Sequence, residues 1–151
     1  MTMNKIGWKE LVDFPELGLK GVPAKIDTGA RTSVIHCAHI EVFKRYRKNF
    51  VRFTPLDEST GQETQEFVYP FHKERRVKNS FGQEENRIVI LTTIELYNTV
   101  YPIEISLRDR SNMEFPMLLG RSFIRKKFLV DVSRSNLSYK SKQKKIKNTK
   151  Q

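Results

Sequence analysis

The chain has 151 residues, which is enough for one domain with a single hydrophobic core. Hydrophobic residues make up 38% of it and aromatic residues 11%, fractions above those of disordered chains, so we expect a globular protein. No apolar run reaches the length of a membrane span, and the N-terminal residues do not resemble a signal peptide. The single cysteine, Cys37, excludes an internal disulfide and agrees with the cytoplasmic location that we expect.

The formal net charge of +11 is unevenly distributed along the chain. Residues 139–151 contain six of the 28 basic residues and no acidic residue, while the other 22 basic and 17 acidic residues leave +5 for residues 1–138. We therefore predict a folded domain, residues 1–138, followed by a basic and disordered C-terminal tail, residues 139–151. The positive charge favours acidic partners such as nucleic acid, anionic peptides or ribosomal surfaces.

Short stretches rich in Val, Ile, Phe, Tyr and Thr, separated by turn residues, predict an all-β fold. In chain order the predicted strands are Gly7–Val12, Gly21–Ile26, Ala38–Tyr46, Phe50–Thr54, Glu66–Tyr69, Ile88–Leu96, Val100–Leu107 and Phe128–Val132. One short helix, Ser122–Lys127, precedes the last strand. Because no βαβ alternation is present, the pattern favours a closed or sandwich-like antiparallel sheet.

The same pattern predicts a hairpin and two exposed loops. Alternation places Ile103, Ile105 and Leu107 on one face of a strand that forms a hairpin with its predecessor around Tyr97-Asn98-Thr99. Polar segments predict two long exposed loops, residues 57–65 and 73–86. The second is either a hairpin tip that folds over a site or an ordinary solvated hairpin.

The segment most informative about chemistry is Asp27-Thr28-Gly29-Ala30, directly after the predicted strand that ends at Ile26. Asp27 lies where the chain leaves the sheet, the Thr28 hydroxyl can bind neighbouring backbone, and Gly29 permits close main-chain approach. Taken alone, Asp-Thr-Gly is a common turn sequence. Far downstream, the apolar run Met117–Leu119 enters Gly120-Arg121, which is typical of a strand buried on both faces and closely approached by backbone.

Together these segments resemble the retropepsin-like aspartic peptidases, and in particular a bacterial branch often labelled "ATP-dependent zinc protease". The motifs that carry the resemblance are Lys25–Ser33, Met117–Arg121 and Phe128–Ser135, in the order that the branch has them. The resemblance extends over about Gly7–Tyr139. It implies a closed β-barrel of the acid-protease type, with one short helix after the Leu-Leu-Gly-Arg strand.

The resemblance also implies roles for individual residues. Asp27 is the catalytic residue, and a homodimer brings two copies of it together, one protonated and one ionised, to activate a water molecule. The residues implied to support the active-site loop are Thr28, Gly29, Ala30, Leu119 and Gly120. The residues implied to contact substrate are Arg31, Thr32, Ser33 and Arg121. Arg31 has three interpretations: it lowers the pKa of Asp27, binds an acidic substrate, or pairs with a surface carboxylate.

The zinc and ATP of the family label have no support in the sequence, so we predict no cofactor. The chain has no His-Glu-x-x-His motif and no phosphate-binding Gly-rich Lys-Ser/Thr loop. A cluster of His36, Cys37 and His39 is the only candidate metal site, with His72 distant in sequence. On a strand, His36 and Cys37 point to opposite faces, which leaves at most two ligands, so ordinary packing is the favoured interpretation.

Two functions from different classes fit these observations. The first is an aspartic endopeptidase acting on a protein or peptide, and some members of the branch resemble companions of ATP-grasp ligases that add glutamate tails to a ribosomal protein. The second is a noncatalytic binding module that docks on such a ligase, a ribosomal protein or RNA. Nucleic-acid binding is not favoured, because no aromatic-basic interleaving is evident.

Three further residues have open interpretations. Asp109 and Asp131 are each either a second site carboxylate within the chain or, more commonly, a turn former or salt-bridge partner. Trp8 is expected in the core or at an interface.

Overall fold

The computed structural model describes residues 3–56, 64–78, 81–109 and 114–149. Most of the predicted polar loop 57–65 lies outside the described residues. The strands are β1 (Asn4–Ile6), β2 (Lys9–Phe14), β3 (Leu19–Asp27), β4 (Ser33–Arg45), β5 (Lys48–Pro55), β6 (Phe67–Pro70), β7 (Lys73–Lys78), β8 (Glu84–Leu96), β9 (Thr99–Asp109), β10 (Met117–Gly120) and β11 (Phe128–Val130). The helices are a 3-10 turn (Pro15–Leu17), α1 (Arg121–Ile124) and α2 (Leu137–Thr149). Within the described residues, neither α-helix is long and apolar enough to cross a membrane.

Six strands close into a hydrogen-bonded ring, and the mostly β architecture agrees with the all-β prediction. The order is β10–β3–β2–β8–β9–β4, and β10 also pairs with β4, which completes the ring. The prediction of an antiparallel sheet is wrong in part, because β3 pairs with β10 and β4 with β9 in parallel, as β1 does with β11. Parallel pairs need long connections between strands, and period-two patterns do not report strand direction.

The predicted hairpin around Tyr97 is present as β8 and β9. Ile90 pairs with Ile105 and Ile88 with Leu107, and Ile103, Ile105 and Leu107 are all buried, as their alternation predicts. The chain turns at Tyr97 and Asn98, both with positive φ.

Within the predicted loop 73–86, residues 73–78 form β7 and residues 84–86 begin β8, so the described part of this segment is a strand hairpin and not an irregular loop. β7 pairs with β8 from Lys73↔Val89 to Lys78↔Glu84, and its alternate residues are half-buried. Its sequence, Lys-Glu-Arg-Arg-Val-Lys, alternates in burial but not in polarity, which is why apolar periodicity did not reveal the strand.

Residues 137–149 form helix α2, where the composition predicted a disordered tail. The carboxylate of Glu10, which is fully buried, accepts hydrogen bonds from the backbone N–H groups of Leu137 (3.0 Å), Ser138 (2.9 Å) and Gly7 (2.7 Å). An anionic acceptor satisfies N–H groups that have no partner within the first turn of a helix, and its charge interacts favourably with the positive end of the helix dipole. The helix therefore begins at a capping group 127 positions away in sequence, which composition does not reveal.

We predict that Glu10→Gln lowers the free energy of unfolding by about 2–4 kcal/mol, since it replaces one acceptor oxygen by a donor that faces N–H groups. Urea unfolding followed by circular dichroism measures this. The control is Glu16→Gln, whose carboxylate accepts one exposed hydrogen bond from Thr93 (2.9 Å), with an expected change under about 0.5 kcal/mol. Equal losses in both variants would contradict the role of Glu10 as the anchor of α2.

Candidate active site

Asp27 is the last residue of β3 and is half-buried at the end of a strand that has neighbours on both sides. In the parallel pairing with β10 it lies opposite Gly120, while Lys25 of the same strand pairs with Lys9 of β2. The N–H of Gly29 donates to the Asp27 carboxylate (Oδ1, 3.0 Å), and the N–H of Ala30 donates to the Asp27 carbonyl (3.2 Å). The ring of strands and this tight turn thus fix where the carboxylate stands.

The beginning of α1 holds the turn from the other side. The N–H groups of Arg121 and Ser122 donate to the carbonyls of Ala30 (2.8 Å) and Arg31 (3.0 Å), and the Arg121 guanidinium donates to the Gly29 carbonyl (2.9 Å). Arg121, expected to contact substrate, therefore stabilises the loop in this structure. We call residues 27–33 with Gly120 and Arg121 the active-site loop assembly.

Gly120 lies so close to the loop that no side chain fits. A Cβ added there would be 2.6 Å from the carbonyl carbon and 2.7 Å from the oxygen of Thr32. The Gly120 N–H donates to the Ser33 hydroxyl (3.0 Å), and the Ser33 carbonyl accepts from the Ser106 hydroxyl (3.1 Å). Ser33, expected to contact substrate, is buried, and its hydrogen bonds connect the loop to both β10 and β9. Leu119 beside it is fully buried in the core.

We predict that Gly120→Ala destabilises the fold by about 3 kcal/mol, because the added methyl group meets backbone that two neighbouring strands hold in place. Thermal and urea unfolding measure the loss. Ser122→Ala, an exposed substitution two residues away, is the control and should change stability by less than about 0.5 kcal/mol. A wild-type stability for Gly120→Ala would show that the loop is not held as tightly as these contacts indicate.

A cleft of about 610 Å³ opens between the active-site loop assembly and the β7–β8 hairpin. One side is formed by Gly29, Ala30, Arg31, Thr32, Val34 and Leu118, and the other by Arg75, Arg76, Val77, Lys78, Arg87 and Arg108. Six of these residues are basic, and no acidic residue is among the described residues that line it. We call this the basic cleft. It is lined by Arg31 and Thr32, two of the residues predicted to contact substrate, and by Gly29, whose amide binds the Asp27 carboxylate.

Three of the cleft's cations were not recognised as site residues in the sequence: Lys78, Arg87 and Arg108. They lie on β7, β8 and β9, and only the pairing of these strands brings them to one surface. The Arg75-Arg76 pair, by contrast, is visible in the sequence as adjacent charges.

Glutamates outside the cleft orient several of its cations. Glu85 pairs with Arg87 (2.8 Å) and Arg108 (3.8 Å), and Glu84 pairs with Arg76 (3.4 Å).

Glu104 of β9 binds His72 (3.2 Å), Lys73 (3.1 Å) and Arg75 (3.3 Å). Partial burial acts to raise the pKa of Glu104, but the hydrogen bonds and charges of Lys73 and His72 outweigh burial and lower that pKa. The carboxylate thus stays ionised at neutral pH and links β9 to β7.

The other acidic candidates lie away from the loop assembly. Asp109 pairs in register with Cys37 on β4, and Asp131 follows β11, where its N–H donates to the Ile6 carbonyl (2.8 Å). Hydrogen bonds from the side chain and backbone of Ser133 lower the pKa of Asp131. Asp131 therefore serves a turn, which is the commoner of its two interpretations.

The His-Cys-x-His cluster has different surroundings at each residue. His36 and Cys37 are buried and His39 is exposed at a position with φ 55°. Burial raises the pKa of the Cys37 thiol, which disfavours the thiolate that metals bind. Over the described part of the chain, no three His, Cys, Asp or Glu side chains are grouped as a metal site requires.

An Asp-Thr-Gly-Ala turn at a strand end, braced by an apolar-apolar-Gly strand in a ring of strands, defines the chain as a retropepsin-like protein. It belongs to the RimB-like family, whose model is described as retropepsin-like aspartic endopeptidase RimB and matches residues 5–141. The resemblance predicted from the motifs is thereby confirmed.

Relatives with assigned names are similar over most of this chain. Two are named probable alpha-L-glutamate ligase: one from Desulfotalea psychrophila, 39% identical over 83% of this chain, and one from Shewanella pealeana, 36% identical over 89%. The chain covers only 27% and 30% of their lengths. The fold is shared with the crystal structure of a Legionella pneumophila protein of unknown function, Lpg0085, with a TM-score of 0.75, 23% identity and coverage of 91% of this chain and 99% of that one.

Proposed function

We propose that the protein is an aspartic peptidase in which two copies of Asp27, one from each subunit of a homodimer, activate a water molecule. The observation that carries this proposal is the half-buried Asp27 carboxylate, which accepts a hydrogen bond from the amide of Gly29, a residue that lines the basic cleft. The described part of each chain offers one carboxylate in the loop assembly, so the second must come from another copy.

Two carboxyl groups this close to each other cannot both be ionised, because their negative charges repel. The pair therefore shares one proton, as is general for aspartic peptidases. The ionised carboxylate takes a proton from the water as the water oxygen attacks the scissile carbonyl carbon. The protonated carboxylate donates its proton to the carbonyl oxygen. The tetrahedral species then breaks at the C–N bond: the carboxyl group that took the water proton passes it to the leaving amine, and the other carboxylate takes a proton from a hydroxyl of the tetrahedral carbon, which restores the dyad. The turn's backbone N–H groups keep the carboxylates oriented.

A half-exposed apolar pair adjoins the end of β3 and supports the homodimer. Trp8 is 40% exposed, and its ring meets that of Phe115 edge-on, with centroids 6.0 Å apart. The Ile26 N–H donates to the Trp8 carbonyl (2.9 Å), so the pair adjoins the strand that ends at Asp27. We propose that this patch is covered by the partner subunit, in line with an interface role for Trp8.

The substrate that fits the basic cleft is an acidic peptide, and we propose a glutamate tail on a protein. Six cations line the cleft, and carboxylate side chains at successive positions of a substrate would each find a guanidinium or ammonium partner. The relatives named probable alpha-L-glutamate ligase contain a segment similar to this chain within a longer one. We therefore propose a ligase of this kind as a partner, one that makes the tails that this protein shortens.

We predict that Asp27→Asn abolishes hydrolysis of an oligoglutamate-tailed peptide, with a loss of about 10³-fold or more and no loss of stability. Mass spectrometry of the products measures it. Asp109→Asn, at the exposed end of β9, is the matched control and should keep wild-type activity. Retained activity in Asp27→Asn would remove Asp27 from the chemistry. An inactive wild-type protein that is monomeric and still binds the peptide would favour the noncatalytic binding module.

Mixing subunits tests whether the two carboxylates come from different copies. If they do, an equal mixture of wild-type and Asp27→Asn chains, exchanged to equilibrium, keeps about one quarter of the activity of the same total concentration of wild type. Retention of one half would show that each subunit works alone.

We predict that Arg31→Gln raises KM for the oligoglutamate-tailed peptide about tenfold with little change in kcat, because a charge-assisted hydrogen bond to a substrate carboxylate is lost. Steady-state kinetics on this peptide and on a glutamine-tailed analogue separate substrate charge from a general defect. Lys144→Gln, which removes the same charge from α2, should change neither constant. An equal rise in KM for both peptides would contradict the proposed contact between Arg31 and acidic side chains.

A further inference from the structure

A second basic surface lies outside the ring of strands, where β5 and β6 extend the sheet beyond β4. Phe43 pairs with Phe50, Arg45 with Lys48, and Glu41 with Arg52. Directly opposed residues project to the same side of a sheet, and so do residues two apart, so all six share one face. The other face carries Val51, Phe53 and Tyr69, which are buried in the core. The first face is thus the outer one, and we call it the hairpin face.

Positive charge predominates on this hairpin, and Glu41, which lies opposite Arg52, is its acidic residue. Residues 43–52 contain five basic side chains, Lys44, Arg45, Arg47, Lys48 and Arg52, and no acidic one. None of the five lines the basic cleft. A concentration of charge this high over ten residues fits a polyanion.

Planar groups are stacked across the hairpin face. The rings of Phe43 and Phe50 lie 27° from parallel with centroids 6.0 Å apart. The guanidinium carbons of Arg52 and Arg45 lie 4.3 Å and 5.4 Å from the Phe43 centroid. Alternating rings and guanidinium groups are the surface on which nucleic-acid bases stack, whereas an acidic peptide needs the charges alone.

The tip of the hairpin presents one more ring. Tyr46 and Arg47 form the two-residue turn with φ of 52° and 64°, in the left-handed region that favours Gly, Asn or Asp. The turn between β8 and β9 uses Tyr97 with a similar φ of 53°, but there the ring stacks on Phe128 and its hydroxyl binds the Lys5 carbonyl. Tyr46 is instead 89% exposed, so the turn between β4 and β5 holds an aromatic ring in solvent.

We propose that the hairpin face and its tip bind single-stranded nucleic acid. A base stacks on the exposed ring of Tyr46 and its neighbours pack against the Phe43–Phe50 pair, while Arg45, Arg47 and Lys48 bind phosphates. The linear sequence did not favour this function, because Phe43 and Phe50 are seven positions apart and only the pairing of β4 with β5 brings them together. The proposal does not depend on peptidase activity.

Fluorescence anisotropy with a labelled 12-nucleotide single-stranded RNA tests the proposal on the full chain. Tyr46→Ser should weaken binding about tenfold, since stacking of a base on an aromatic ring is lost. The triple variant Arg45→Gln, Arg47→Gln, Lys48→Gln should lower the slope of log affinity against log salt by about 2, as three phosphate contacts are lost. These side chains are exposed, and equal thermal unfolding of all variants checks that the fold is retained.

A charge-matched control separates the hairpin face from general basicity. The variant Lys140→Gln, Lys144→Gln, Lys145→Gln removes the same charge from α2 and should leave the RNA affinity within about twofold. An equal loss in this control would overturn the proposal, as would a Tyr46→Ser variant with wild-type affinity. A 12-residue oligoglutamate peptide is the competitor. If it displaces the RNA, and if Tyr46→Ser does not weaken binding of this peptide, the hairpin face is assigned to an acidic protein instead. Single-stranded DNA in a parallel titration shows whether the 2′-hydroxyl contributes.

Discussion

The structure depends on a four-residue strand that pairs on both sides. In β10, Met117 lies opposite Ala24 of β3 and Ile35 of β4, and Leu118 lies opposite Lys25 and Val34. This double pairing closes the ring, and it also sets Gly120 against the backbone of the loop that follows Asp27. The same pairing of β10 therefore determines both the position of the Asp27 carboxylate and the closure of the core. A change that separated β10 from either neighbour would open the core and release the loop together.

The basic cleft shows how a β-protein collects charge of one sign without a continuous run of basic residues. Its cations come from the loop, β7, β8 and β9, and three glutamates on β8 and β9 partly neutralise them from outside the cleft. Such pairs contribute little stability at exposed positions, but they restrict side-chain rotation. A carboxylate ligand then meets guanidinium groups that are already oriented, and the entropy cost of binding is smaller.

Local chemistry was predictable from the sequence, and distant hydrogen bonds were not. The placement of Asp27 at a strand end, and of Gly120 in close contact with backbone, could be predicted because it depends on the order of residues within two short segments. Ser33 and Arg121 lie in the same segments, yet their partners are the Gly120 amide and the Gly29 carbonyl, which only the folded chain brings near. Helix α2 was missed for the same reason, since Glu10 of β2 caps it. The hairpin face was missed because its rings are neighbours in register and not in sequence.

The distance in sequence between these partners also decides when the protein can fold. During synthesis the ring cannot close before residue 120 has left the ribosome, and Glu10 has no helix to cap until Leu137 and Ser138 follow. Long-range pairings of this kind slow folding and delay it until most of the chain is present. The Asp27 turn is made early but receives its bracing strand late. A truncated or unfinished chain therefore carries Asp27 without the strand that fixes the position of its loop.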